Sequence, residues 1–259
     1  MGANIVIANT VEIYPPKGFN SAEVGLIYKG ISDESDIITL LLYLANKGYI
    51  KISKLKFESS FGLSMNFSLS KLKNYDGDSD IESLFLDGLF KNSYVVTTTD
   101  LIMKFYITLD KITNSLNKNW DSQKLFRESY MYRVLKVSFQ IKPKRTKYGN
   151  EVFERIDAFK RFVETVRTEK LEEIVLREQT YFYDVLPYAY ALNFSERWIN
   201  LFEKINLRPP DWYESKDTFS VVEFGHFIDD TMISARFAMS LRKQNGVQWL
   251  FNIPNPFKK

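Results

Sequence analysis

Between Tyr14 and Ile52 the chain reads YPPKGFNSAEVGLIYKGISDESDIITLLLYLANKGYIKI, a run whose punctuation leaves few ways to fold. Pro15 and Pro16 hold the backbone extended and remove a donor, so no helix begins before Gly18. Asn20 then stands where a side chain can cap the first amides. Glu23, three residues on, is placed to reach back as the second half of a capping box, and its charge suits the positive end of the helix. Gly25 weakens this helix and Gly30 supplies a left-handed C-terminal residue. A second helix is expected from Ser35 or Asp36 as N-cap, with Ile37, Ile38, Leu41, Leu44 and Ala45 inward, ending at Gly48. Tyr49, Ile50 and Ile52 have strand composition, and Met65–Leu72 alternates Met65, Phe67 and Leu69 against Asn66, Ser68 and Ser70. Helix, helix, strand, loop, strand is the order of a winged helix-turn-helix.

The rest of the chain extends this beginning. Tyr75–Asp78 is a turn, and Ser79 with Glu82 forms another capping box ahead of Ile81, Leu84, Phe85, Leu89 and Phe90. After the β-branched piece Val95–Thr98, a long helix is expected from Thr99 or Asp100. Its apolar stripe is Leu101, Phe105, Leu109, Ile112, Leu116 and Trp120, which packing on the first unit would cover. From Asp121 to Asn150 the pattern deteriorates. Helical periodicity returns with Val152, Ile156, Phe159, Val163 and Val166. Pro187 is expected to kink or restart a helix over Tyr181–Leu192. Ser195 reads as the cap of a helix with Trp198, Leu201, Phe202 and Ile205 inward, which Pro209 and Pro210 stop, and a last helix is expected around Phe227–Lys243. The fold class is α+β, mostly helical: winged-helix-like units followed by a C-terminal helical region. The expected division is 1–75, a winged-helix-like unit; 76–125, a second such unit with a long helix; 126–150, a linker or the site of an excised hairpin; 151–213, a helical region; and 214–259, a tail with a possible helix.

Composition sets limits on function. With 259 residues and 45% apolar content, the chain can bury two or three modest cores. Its 35 basic and 32 acidic residues nearly cancel, leaving +3, so total charge gives no strong nucleic-acid footprint. With no cysteine, disulfides, thiol nucleophiles and cysteine-ligated zinc are excluded. No run reaches the roughly 18–20 apolar residues of a membrane helix.

The segments YPPKGFNSAEVG, LLLYLANKGYIKI, FSLSKLK, LFLDGLF, RTKYGNEVFERIDAFKRFVET, YFYDVLPYAYALNFSERWINLFE and PPDWY occur in this order between Tyr14 and Tyr213. Their succession resembles the predicted bacterial membrane proteins grouped as domain of unknown function 2207. The resemblance implies a protein with a signal peptide, an extracytoplasmic β domain, membrane helices and a cytoplasmic C-terminal region, of which this chain would be the last. Family members usually carry a membrane hairpin between the LFLDGLF unit and the RTKYGNE segment, whereas Asp121–Ile141 is too polar to cross a bilayer. The expectation is that this member lacks the hairpin or that it was removed near residues 121–145. The family also tends to end in a glycine- and serine-rich tail, whereas this sequence ends in PNPFKK.

Several residues are candidates for contact with a partner. Lys142, Lys144, Arg145 and Lys147 surround Pro143. They read as a solvated linker or, if the family hairpin belongs just before them, as a membrane junction touching anionic lipid. In a nucleic-acid reading, Lys47, Lys51, Lys54 and Lys56 would contact phosphates. The second helix would present Asp36, Thr39, Tyr43 and Asn46 outward, a nearly uncharged face poorly suited to base edges. His226, the one histidine, lies between Phe224 and Phe227 and reads as a packed aromatic rather than a base, or a metal ligand with Asp229 and Asp230. Asp76, Asp78 and Asp80 resemble a calcium loop, but Gly77 is misplaced and Asp87 stands where a bidentate glutamate is required. No phosphate loop or hydrolase motif occurs, so no catalytic residue, cofactor or metal is expected. The expected function is a cytoplasmic, non-catalytic interaction or scaffolding region of a membrane-anchored bacterial protein, with an unknown protein partner. The alternative is a membrane-linked nucleic-acid-binding regulator.

Overall fold

A computed structural model describes residues 12–55, 67–122, 125–127, 143–214 and 219–242. It is α+β and mostly helical, with one small four-stranded sheet among the described residues. Helix α1, Ser21–Lys29, opens on the expected capping box. The Glu23 amide donates to Asn20 Oδ1 at 3.0 Å, and the Asn20 amide donates to Glu23 Oε2 at 2.9 Å. Gly30 ends the helix in the left-handed region (φ 77°), where a β-carbon would be strained.

The second helix differs from expectation. It is divided into α2, Glu34–Ile38, and α3, Leu40–Asn46, and its cap is Asp33, whose carboxylate accepts from the Ser35 amide at 2.8 Å. Thr39 is the cause of the division. Its hydroxyl donates to the Asp36 carbonyl at 2.6 Å and shares a 2.7 Å hydrogen bond with the Ser21 hydroxyl, a local back-bond that competes with the helical ladder.

Strands β1, Ile50–Lys54, and β2, Phe67–Lys71, pair antiparallel with Ile52 opposite Leu69. Both side chains are fully buried. Met65 and Asn66 lie outside the described residues. After α4, Asp80–Phe90, strand β3, Val95–Thr97, pairs with β2, so the second segment adds to the sheet of the first.

The long helix also departs from expectation. Thr97 and Asp100 cap a single turn, α5, Thr98–Leu101. Met103 then turns left-handed (φ 58°) before α6, Tyr106–Ser122. The apolar stripe survives this interruption. Leu101, Phe105, Leu109, Ile112 and Leu116 are all buried, Phe105 meeting Phe85 of α4 edge-on with centroids 5.3 Å apart. The Trp120 side chain lies outside the description.

Residues 125–127 and 144–146 run antiparallel: the Arg127 amide donates to the Lys144 carbonyl at 2.8 Å and the Thr146 amide to that of Leu125 at 3.0 Å. Thr146 then caps α7, Lys147–Thr165, by accepting from the Gly149 amide at 3.0 Å. Four more helices follow: α8, Thr168–Arg177; α9, Tyr181–Ala191; α10, Ser195–Phe202; and α11, Val221–Ser240. Pro187 lies inside α9 without restarting it. Ser195 is the first residue of α10 rather than its cap, with Trp198 and Phe202 fully buried and Leu201 only partly. The last helix begins at Val221, six residues before the expected start, and ends at Ser240. Strand β4, Tyr213–Glu214, joins β1 in parallel, completing the order β3-β2-β1-β4. Buried apolar side chains from α1 through α11 form one contiguous cluster, so segments on both sides of residues 75 and 150 share an interior.

Candidate functional site

The face that a winged helix would offer to a nucleic acid lies on α3, and here it is occupied by the chain's own later residues. Asn46 donates its side-chain amide to the Tyr183 carbonyl of α9 and accepts from Trp212 Nε1 at 2.7 Å. Tyr43 meets Tyr188 edge-on, with centroids 6.1 Å apart. Asp36 and Thr39, expected outward, are 2% and 0% exposed. That expectation is corrected: α1 supplies Lys29 to Asp36 and Ser21 to Thr39, so both polar side chains find partners inside. The sheet edge beside this face is closed as well, because the Ile52 amide donates to the Trp212 carbonyl at 2.9 Å.

The phosphate candidates do not form a patch of uncommitted cations. Lys47 pairs with Glu82 at 3.2 Å and Lys51 with Glu214 at 3.0 Å. Lys54 is exposed, and Lys56 lies outside the described residues. Of the basic cluster around Pro143, Lys142 is likewise outside them, and Lys144 and Lys147 are exposed. Arg145 is spent elsewhere. Its guanidinium donates to the Ile27 carbonyl (2.9 Å from Nη2) and the Tyr28 carbonyl (3.0 Å), the last carbonyls of α1, and lies 3.9 Å from the centre of the Phe153 ring. Such a cation satisfies orphan acceptors and complements the negative helix end. Arg145 is therefore a cap for α1.

The open feature that gathers charge is a groove of about 620 Å³. One wall is the segment Tyr14–Phe19, which is fixed across α9: Tyr181 donates to the Ile13 carbonyl at 2.5 Å and Tyr188 to the Phe19 carbonyl at 3.0 Å. The opposite wall is the first turn of α4, and Tyr43 of α3 and Lys47 just beyond it, with Asp184 and Tyr188 of α9, contribute the floor. Glu82, 4% exposed, organises it. The capping-box expectation for Glu82 holds in one direction only, since its amide donates to Ser79 Oγ at 3.4 Å, a long contact. The Ser79 amide is taken instead by the Tyr75 hydroxyl at 3.0 Å. This releases the Glu82 carboxylate to accept from Lys47 Nζ (3.2 Å), the Tyr75 hydroxyl (3.2 Å) and, more weakly, Asn20 Nδ2 (3.4 Å). A buried carboxylate with three donors is far cheaper than an unpaired one.

The surrounding groups are tuned as donors. Burial, together with the charge of Glu82, pushes the Tyr75 phenol up to about 12. Burial and the hydrogen bond to Glu178 push Tyr14 to about 12, and burial drives Tyr188 well above the ordinary phenol range. All three stay protonated at neutral pH. Burial opposes the charge on Lys47, but Tyr43 and Glu82 outweigh it and the ammonium is held above its usual pKa. Asp184 is raised by burial, with Glu178 adding like charge against a hydrogen bond from Thr180. Carboxylates, phenols and an ammonium arranged in this way recognise charge.

Sequence reading assigned Glu82 only to a cap and missed Asp184 and Tyr188. The available signal was their spacing: Tyr181, Asp184 and Tyr188 follow the three- and four-residue steps of one helix face. His226, expected to be packed, is exposed on α11, because its neighbours Phe224 and Phe227 take the inward positions. Asp229 accepts from the Tyr190 hydroxyl, and Asp230 is exposed. Asp76 accepts from Tyr49 and from Lys73, while Asp78 and Asp80 stand exposed at the rim of the groove. Among the described residues no three histidine, aspartate or glutamate side chains converge as a metal would need, and no helix is long and apolar enough to cross a membrane. Comparison with family models, curated proteins and solved structures found no match to this chain.

Proposed function

We propose that this chain is the cytoplasmic, non-catalytic interaction or scaffolding region of a membrane-anchored bacterial protein. The observation that carries the interaction reading is the contrast between the two polar surfaces of the winged-helix unit. On the face of α3 that would meet a nucleic acid, Asn46 is closed off by Tyr183 and Trp212, while Tyr43, edge-on to Tyr188, and Lys47 border an open groove lined by charged and phenolic groups. Winged-helix units serve protein contacts as readily as nucleic acid, so the site and not the fold decides.

Membrane attachment rests on the resemblance of the ordered segments from YPPKGF to PPDWY. One geometric feature is compatible with it: the chain leaves at Arg127 and returns at Lys144 as hydrogen-bonded neighbours. A membrane hairpin inserted there would need that adjacency, and exposed Lys144 and Lys147 stand where cytoplasmic positive charge belongs.

Protease accessibility of the full-length gene product, tagged within this region, tests the proposal. The tag is expected in the membrane fraction, resistant to protease added outside spheroplasts and cleaved after lysis. Recovery in the soluble fraction, or cleavage from outside, overturns it. Titration with random duplex DNA addresses the alternative, because phosphate neutralisation gives a steep dependence of affinity on salt. No such binding is expected.

A further inference from the structure

We infer that the groove between the Tyr14–Phe19 segment and the first turn of α4 receives an arginine or lysine side chain presented by an extended partner peptide, an inference that rests on the interaction reading above. Its volume of about 620 Å³ falls within the range of about 300–1,000 Å³ typical of ligand clefts, and it is open to solvent. The lining contributes five carboxylates (Glu23, Asp78, Asp80, Glu82 and Asp184) against two ammonium groups, Lys17 and Lys47. Once Lys47 has neutralised Glu82, the remaining excess is negative, and a guest of opposite sign is favoured.

The groove also holds an intramolecular example of the contact it would offer. The Lys47 ammonium lies 4.4 Å from the centre of the Tyr43 ring while pairing with Glu82. An aromatic face together with a carboxylate is the combination that holds organic cations. The groove carries a further phenol and carboxylate, with Lys17 also in its lining. Tyr14 and Asp184 both line the groove, and the charged neighbour acting on Asp184 is Glu178, of the same sign. Burial and that neighbour both make the Asp184 charge costly, and a cation placed there relieves both. Arginine suits the site best, since its planar fork can bridge a carboxylate and lie on a phenol ring.

Fluorescence anisotropy with labelled peptides of otherwise glycine and serine tests this. Three peptides are compared, carrying arginine and lysine, two glutamines, or two glutamates, with spermidine as an unlabelled competitor. Saturable binding of the basic peptide is expected, at least tenfold weaker for the glutamine peptide and absent for the glutamate one. Asp184→Asn, and separately the rim pair Asp78→Asn with Asp80→Asn, should each weaken it fivefold or more while circular dichroism stays unchanged. The exposed rim pair keeps the test valid if Asp184→Asn perturbs folding. Equal binding of the glutamine peptide, or insensitivity to both variants, overturns the inference. Spermidine competing as strongly as the basic peptide overturns its peptide part. Absence of any saturable binding overturns it while leaving the protease-accessibility result, and hence the membrane-anchored reading, untouched.

Discussion

Asn46 donates its side-chain amide to the carbonyl of Tyr183, the carbonyl four residues before Pro187, which α9 cannot satisfy because proline has no N–H. The same side chain accepts from Trp212 Nε1 at 2.7 Å. One residue of α3 thus repairs a gap in α9 and anchors the segment that delivers β4 to the sheet. Asn46→Ala leaves the Tyr183 carbonyl and the Trp212 indole without partners, and Tyr183 and Trp212 are both 4% exposed. At about 1–3 kcal/mol for each buried unsatisfied group, the expected loss is roughly 2–6 kcal/mol by urea denaturation. Pro187→Ala restores a backbone donor to Tyr183, so in the double variant the loss from Asn46→Ala should shrink by about 1 kcal/mol or more. Strict additivity would show that the two residues do not share this carbonyl.

A buried acid sets a pH dependence with a definite sign. Asp36 is 2% exposed, pairs with Lys29 at 2.5 Å through Oδ1, and leaves Oδ2 without a partner. A β-carbon on Gly25 would lie 2.6 Å from that oxygen, which shows how closely α1 covers it. Burial pushes the carboxyl up to about 6, against the opposing charge of Lys29, compared with about 4 in an unfolded chain. The folded state therefore binds the extra proton. The stability this contributes is complete below about pH 4 and is lost as pH rises through 6, a change of roughly 3 kcal/mol. Asp36→Asn should flatten the wild-type decline in urea midpoint between pH 4 and 6.5. An identical slope in both proteins would assign the dependence elsewhere.

Local signals in the sequence were legible, and contacts between distant segments were not. Asn20 with Glu23 and Ser79 ahead of α4 are decided within one turn of chain, and the apolar stripes of α6 and α7 report their own periodicity. Glu82 misled because its competitor for the Ser79 amide, Tyr75, reaches it across a turn. The α3 surface misled for a related reason. Tyr43 and Asn46 are polar enough to face water, and nothing near them says that α9, some 140 residues later, brings a tyrosine and an unpaired carbonyl to meet them. Thr39 broke a helix that the pattern of isoleucine and leucine favoured, through a hydroxyl whose back-bond competes with the ladder.

Arg145 should behave as part of α1 rather than as a membrane contact. Arg145→Ala removes donors from the Ile27 and Tyr28 carbonyls and the packing on Phe153, for an expected loss of about 1.5–3 kcal/mol, as for hydrogen bonds to a charged group. Arg145→Lys should recover little of it, because an ammonium cannot reproduce the fork that spans two carbonyls. Lys144→Ala with Lys147→Ala, both at exposed positions, should leave the urea midpoint within about 0.5 kcal/mol. In flotation with anionic vesicles the pattern reverses, and any lipid affinity should depend on Lys144 and Lys147. Full recovery of stability by lysine at 145 would refute the capping role.

Gly149 decides between two opposed effects on α7. In a solvated helix, alanine is favoured over glycine by about 1 kcal/mol, so Gly149→Ala would stabilise a free helix. Here the glycine is buried, and an added β-carbon would lie 1.9 Å from the Leu125 carbonyl oxygen. That oxygen also accepts from the Thr146 amide at 3.0 Å, and Thr146 in turn caps α7. The obstacle is backbone rather than a flexible side-chain end, so strand 125–127 must move away and its pairing with 144–146 opens. Overpacking of this kind costs about 1–3 kcal/mol, and the broken pairing adds to it, so the clash outweighs the propensity gain. The variant should unfold at lower urea, with hydrogen exchange accelerated more at the Arg127 and Thr146 amides than within α7. A midpoint equal to or above wild type would mean that the clasp does not press on this helix.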